Sequence, residues 1–236
     1  MLYFRPAFWM SVVMVPSLLI LSWLGVWQVQ RLHWKNELTA TLEAGQLAPP
    51  APLSRLLAEP NEPAWRQAIV EGAFVQPTMV RRVFTTKDGA AGYRHLTLFD
   101  AGSDGLLFVD LGFAPEAVTP GSPPVGALTV TGFLRPAGEK GWMTLPPEPA
   151  KNIWYWRDTV LMLGPNLTGQ PFVADFVLDA SQPIGSEPWP VVVGAPPKPV
   201  NNHLDYALTW FGLALGLIGV YLVWHHNNDR LRFGRN

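Results

Sequence analysis

Two long stretches without a single formal charge, one near each end of the chain, constrain its fold more than any other feature. The first runs from Pro6 to Gln30, between Arg5 and Arg31, and the second from Tyr206 to Asn228, between Asp205 and Asp229. Crossing the hydrocarbon core of a bilayer takes about 20 predominantly apolar residues, and both stretches meet that length. A secretory signal peptide has a shorter apolar region, about 7–15 residues, followed by small residues at the cleavage point. The first stretch is longer and closes on Gly25-Val26-Trp27, so it reads as a retained anchor. The alternative for the second stretch, a buried core helix, rarely stays uncharged for so long. The expected layout is two membrane spans with a folded domain between them.

Charge sets the orientation. The tail carries Arg230, Arg232 and Arg235 against Asp229, and the head carries Arg5 and the amino terminus. Lys and Arg in short flanking segments mark the cytoplasmic side, whereas long loops cross largely regardless of charge. Arg31 and Lys35 pull weakly the other way, but an even number of spans puts both short ends on one side. The expected organisation is a cytoplasmic head (1–7), a first transmembrane helix (8–30), an extracytoplasmic domain (31–205), a second transmembrane helix (206–226) and a basic cytoplasmic tail (227–236). The net charge of −1 supplies no field to attract nucleic acid. The chain has no cysteine, which excludes disulfides, thiolate catalysis and Cys-ligated metal or iron–sulfur sites.

Between the spans, Asn36–Leu47 reads as a short helix, and Pro49, Pro50 and Pro52 as a connector. Segments rich in Val, Ile, Thr and aromatics follow at Gln67–Val75, Met79–Thr85, Tyr93–Phe99, Leu106–Phe113 and Leu128–Leu134. Turn formers such as Lys87-Asp88-Gly89 separate them. Asn152–Trp156 and Phe172–Leu178 add two further strands, with a helical turn at Asp158–Leu163. The spacing predicts an antiparallel β-rich domain, a small barrel or sandwich, within an α+β integral membrane protein. Several Pro favour edge strands and long loops.

No phosphate loop, His-Glu-x-x-His pair or Ser nucleophile elbow is present, so the chain is not expected to be an enzyme; a membrane-anchored hydrolase is disfavoured on the same ground. Asp100, Asp104 and Asp110 flank a turn and read as turn residues with solvated charges. The membrane-flanking segments carry more. Trp23, Trp27, Arg31 and Trp34, spaced 4, 4 and 3, share one face of a helix that continues past the membrane surface. That stripe suits either an aromatic belt with a snorkelling Arg or part of a pocket. His203, Tyr206 and Trp210, spaced 3 and 4, share a face of the second span, with Gly212, Gly216 and Gly219 roughly opposite, where another helix can approach closely. An imidazole in such a setting can ligate haem iron, with Arg or Tyr serving the propionates, or can tie the helix to the domain.

These segments strongly resemble the signature ends of the Surfeit locus protein one family, assembly factors of haem–copper cytochrome c oxidase. Leu24-Gly25-x-Trp27-Gln28-x-x-Arg31-x-x-Trp34-Lys35 is similar to its first motif, and Asn202-His203-Leu204-x-Tyr206-Ala207-x-Thr209-Trp210-Phe211 to its last. Gly92-Tyr93-Arg94, Val130-x-Gly132-x-Leu134-Arg135 and Asn152-x-Trp154-x-x-x-Asp158 fall between them in the family's order. Where the family has Val-x-Arg-Gly-Trp-x-Pro, this chain has Val109-Asp110-Leu111-Gly112-Phe113-Ala114-Pro115, so Leu111 replaces the Arg. The resemblance implies a factor assisting haem a insertion into, or formation of, the haem site of oxidase subunit I. It also implies a bacterial inner (plasma) membrane location with the central domain in the periplasm. Its implied partners are subunit I, other oxidase assembly factors and the membrane. The implied cofactor is transiently bound haem a, with His203 as ligand to its iron and Tyr206, Trp210, Trp27 and Arg31 around it. The alternative is a scaffold that stabilises an oxidase subunit without binding haem. His33 is a candidate second ligand, whereas His225, 22 residues along the span, would lie roughly 33 Å from His203.

Overall fold

The computed structural model describes residues 2–59, 64–138, 140–165, 169–194 and 199–233. In chain order, the elements are β1 (Leu2–Phe4), α1 (Phe8–Leu47), β2 (Ala51–Pro52), α2 (Leu53–Ala58), β3 (Gln67–Phe74), β4 (Val80–Lys87), β5 (Ala90–Asp100), β6 (Leu106–Pro115), β7 (Ala127–Pro136), β8 (Ile153–Trp154), α3 (Thr159–Leu163), β9 (Phe172–Ala180), α4 (His203–Asn227) and β10 (Leu231–Phe233). They form two compact units, Met1–Thr41 with Lys198–Asn236, and Leu42–Pro197.

The first unit is a pair of long helices. α1 has 40 residues, about 60 Å at 1.5 Å per residue, so Asn36–Leu47 is not a separate helix but the continuation of the first. Both α1 and α4 are long and apolar enough to cross a membrane, and only 6% and 17% of their most apolar windows is buried within the chain. Leu19 and Ile20 on α1, and Leu215 and Val220 on α4, are more than half exposed. Such continuous apolar surface suits membrane anchoring. The helices run antiparallel: Gly25 meets Phe211, Ser11 Oγ lies 2.5 Å from Tyr221 Oη, and the Ala7 amide donates to His225 Nε2 at 3.0 Å. On α4 the buried residues are Ala207, Ala214, Tyr221 and His225, spaced 7, 7 and 4, the period of a helix-packing seam. At the terminal end of the pair, β1 and β10 pair antiparallel, Leu2 opposite Phe233.

The second unit is a five-stranded barrel. Its strands neighbour one another in the order β3-β7-β9-β6-β5, and β5 closes on β3 through Ala73 opposite Asp100 and Phe74 opposite Phe99. The β4–β5 hairpin turns on Asp88 and Gly89, both with positive φ, the two-residue Asp-Gly turn whose twist matches its strands. Three pairings differ from the antiparallel expectation: β6–β9, β2–β3 and β4–β8 are parallel. The long connection from β6 to β9, which carries β7, β8 and α3, permits this, since parallel neighbours need a crossover of a dozen residues or more.

Side-chain alternation divides the barrel into two layers. Phe74, Phe99, Leu107, Val109, Leu111, Val130, Leu134 and Leu178 fill the interior, with Leu53 and Leu56 of α2 packed among them. Leu96, Leu98, Leu106, Phe108 and Val177 point to the outer face, where Trp154 and α3 cover them with Met162 and Leu163. Gly112 holds φ +124, and a Cβ there would meet the Val191 carbonyl at 2.2 Å. Glycine is therefore required where Val191 bridges to Phe113. Leu111, standing where the resembled family has Arg, is 4% exposed and adds apolar volume to the interior.

Candidate functional site

His203 is the first residue of α4, and α1 holds this end of the helix. Lys35 Nζ donates to the Val200 carbonyl at 2.8 Å, and Asn201 Nδ2 to Asn36 Oδ1 at 2.9 Å. His203 Nδ1 lies 2.7 Å from Gln28 Oε1. An amide oxygen only accepts, so this contact assigns the proton to Nδ1 and leaves the Nε2 lone pair available. Nε2 has no hydrogen-bond partner among the described residues. Gln28 itself is buried and acts as a fixed orienter, the arrangement that sets tautomer and ring plane in imidazole ligands.

The other expected site residues lie around this contact but do not all turn toward it. Tyr206 and Trp27 are 55% and 41% exposed. Arg31 is also exposed and stacks over Trp34, its guanidinium carbon 4.7 Å from the ring centroid. Trp210 is partly buried, and its Nε1 is buried without a partner. A free imidazole lone pair and an unpartnered indole N–H on one helix fit a ligand carrying both a metal and polar groups. The stripe of Trp23, Trp27, Arg31 and Trp34 faces away from α4 as an exposed face. His33 is exposed, with no hydrogen bond to His203. His225 is fully buried, with Nδ1 against the Tyr221 carbonyl at 2.8 Å and Nε2 accepting from Ala7. Both its ring nitrogens are occupied, so it is a structural histidine.

The glycines of the second span do not face α1. A Cβ at Gly212, Gly216 or Gly219 would meet nothing within 4 Å, whereas one at Gly25 would lie 2.6 Å from the Phe211 ring. Gly25→Leu is therefore expected to lower the thermal stability of the detergent-solubilised protein, with overpacking costing about 1–3 kcal/mol. Gly212→Leu with Gly216→Leu should leave that midpoint unchanged, and a thermal melt followed by circular dichroism checks both.

A second constellation lies in the barrel unit. Asp110, read from sequence as a solvated turn residue, is instead 1% exposed within β6. Its Oδ2 accepts from Arg94 Nε at 2.5 Å and Arg157 Nη2 at 3.3 Å, and its Oδ1 from the Gly112 amide at 2.9 Å. Asp179 on β9 pairs with Arg135 Nε at 2.7 Å and Arg94 Nη2 at 3.2 Å. The reason is parity: positions 106, 108 and 110 of β6 share the outer face, as do 177 and 179 of β9, so these carboxylates turn into the layer under Trp154. Asp100 and Asp104 match the turn reading, accepting from the amides of Gly102 and Ser54. Burial first, and the adjacent Asp110 second, push the Asp179 carboxyl up despite three nearby guanidinia. For Arg94, burial opposes the charge, but Asp110 and Asp179 outweigh it and raise its pKa. His95, at the β5 bulge, is held down by burial, and its Nδ1 is buried without a partner. One signal for this cluster was present in the sequence: Asp110 and Asp179 each interrupt an apolar strand, and a charge there must be paired.

Two apolar helices flanking in sequence a β-rich domain with a five-stranded barrel define a membrane-type α+β protein. A model of the SURF1 family matches residues 15–215, and the chain belongs to that family. The SURF1-like protein of Monosiga brevicollis is 29% identical over 208 residues, covering 81% of this chain and 78% of its own. Surfeit locus protein 1 of Mus musculus is 30% identical over 213 residues, covering 80% and 67%. The SURF1-like protein of Rickettsia felis is 25% identical over 228 residues, covering 92% and 97%.

Proposed function

We propose that this chain is an assembly factor for haem–copper cytochrome c oxidase that assists haem a insertion into, or formation of, the haem site of subunit I. The observation that carries the reading is the His203–Gln28 contact, in which Nδ1 donates to the amide oxygen while Nε2 has no hydrogen-bond partner among the described residues. When bound, haem supplies the metal centre. The chain's part is to hold and orient it through His203, with Trp210 Nε1 available to a polar group and Tyr206 on the same helix; Trp27 and Arg31 lie on the exposed face of α1. The role is binding rather than catalysis.

The proposed topology places both termini in the cytoplasm and the barrel in the periplasm, the chain crossing a bacterial inner membrane twice. Arg5, Arg230 and Arg232 beside paired β1 and β10 support it. A scaffold without haem is the second reading, supported by the open Gly212/Gly216/Gly219 face, to which an oxidase helix can pack closely. Deleting the gene in a strain without a second family member is expected to lower haem a absorbance and oxidase activity severalfold while subunit I is still synthesised. Unchanged oxidase spectra would reject the assembly role. Haem copurifying with the solubilised protein favours the first reading over the scaffold.

A further inference from the structure

We propose that the cleft bounded by Arg94, Arg135 and Arg157 is a binding site for a compact oxyanion, a carboxylate or phosphate group. It lies in the barrel unit and does not depend on His203 or on haem. The cleft is about 280 Å³ and is lined by these three side chains with Gly138, Tyr155 and Trp156 among others. Three guanidinia face two carboxylates, Asp110 and Asp179, leaving one positive charge unbalanced among the described residues. The side chains of Arg94, Arg135 and Arg157 are only 10%, 19% and 14% exposed. An uncompensated charge at such depth is costly, and a bound anion removes that cost.

Donor geometry points the same way. Asp110 already accepts from two guanidinia and a backbone amide. Arg157 Nε is buried with no acceptor, and Arg135 Nε approaches Asp179 at 2.7 Å without an aligned hydrogen bond. Each guanidinium offers five N–H groups in a planar fork suited to carboxylate and phosphate. Among the described residues, Arg157 is the least tightly paired of the three. It stands in the loop between β8 and α3, outside the strands, and its contacts at 3.3 and 3.9 Å are longer than the shortest contacts of Arg94 and Arg135. It also forms part of the wall of a neighbouring chamber of about 710 Å³, together with Trp156 and Lys140. Lys140 Nζ lies 5.7 Å from the Trp156 ring centroid. The larger chamber can hold the body of a ligand whose anionic head reaches the three arginines; Asp158 and Asp175 on its wall disfavour a second negative charge there.

The test uses the full-length protein in a nonionic detergent, at constant ionic strength set with sodium chloride, titrated with sodium phosphate, acetate or butyrate. A saturable rise in the unfolding midpoint is expected with phosphate or with the carboxylates, and not with chloride. A larger rise with butyrate than with acetate identifies a carboxylate whose apolar body uses the second chamber; a response to phosphate alone identifies a phosphate group. Arg157→Gln should fold and weaken the apparent affinity at least tenfold, with Arg157→Lys between it and the wild type. Phosphorus NMR line broadening of phosphate by the wild-type protein gives the same reading without any variant. Equal responses to chloride and the oxyanions, or an Arg157→Gln protein that responds like wild type, would overturn the assignment. None of these readouts involves haem or oxidase, so their failure leaves the assembly role standing.

Discussion

Replacing Asp110 with alanine is expected to destabilise the protein by about 3–5 kcal/mol, a large share of the roughly 5–15 kcal/mol that holds a domain folded. The carboxylate is the common acceptor of Arg94 and Arg157 and also receives the Gly112 amide. Removing it leaves three guanidinia, those of Arg94, Arg135 and Arg157, facing only Asp179 in a layer covered by Trp154, Met162 and Leu163. The penalty comes from stranded charge rather than from the intrinsic worth of the pair, since breaking one partner of a buried ion pair costs far more than the pair contributes. A double variant, Arg94→Met with Asp110→Leu, is therefore expected to recover at least half of the loss, because it removes one charge of each sign. Asp88→Asn, which removes the exposed ion pair with Lys87 in the β4–β5 turn but keeps a residue that accepts positive φ, should have no measurable effect. Thermal and denaturant unfolding of the solubilised chain measure all three. An Asp110→Ala protein as stable as wild type would show that the network is not held as described.

His203→Ala is expected to abolish the Soret absorbance of haem bound to the purified protein, whereas Gln28→Leu should reduce occupancy and shift the band. The two variants separate ligation from orientation. His203 supplies the only nitrogen of the pair with an available lone pair, and Gln28 fixes which nitrogen that is. Losing the orienting partner of a metal-ligating imidazole typically costs about 10–100-fold in metal affinity, which leaves a weakened signal rather than none. His225→Ala disturbs the Ala7 and Tyr221 contacts and the ring packing with Phe4 and Trp224, but its nitrogens are already engaged, so haem absorbance should persist. Full haem content with an unshifted spectrum in the His203→Ala protein would remove the ligand assignment and favour the scaffold reading.

The wider architecture is expressed in local sequence because its signals are local. Uncharged runs of 25 and 23 residues determine long apolar helices wherever they sit. Alternating Val, Ile, Thr and aromatic residues between turn formers determine strands, and each expected strand lies within a few residues of an observed one, Gln67–Phe74 and Leu106–Pro115 among them. The Asp88-Gly89 turn follows from its two residues alone, through the positive φ that pair accepts.

Tertiary structure decided what depends on pairing between distant segments. Closure of β5 on β3 and the parallel β6–β9 contact bring together residues far apart in sequence, and no periodicity encodes which edges meet. The same holds for Asp110: its neighbours along the chain made it read as solvated, and only the pleat of β6, with Arg94 from β5 and Arg157 from the loop after β8, made it buried and paired. Gln28 likewise read as one polar residue in a motif until the antiparallel packing of α1 and α4 set its oxygen against His203, 175 positions away. Local composition determines helix and strand because backbone sterics and burial periodicity act over a few residues. Charge partners and orienting hydrogen bonds are decided across the fold, where free energy depends on distance in space and not on separation along the chain.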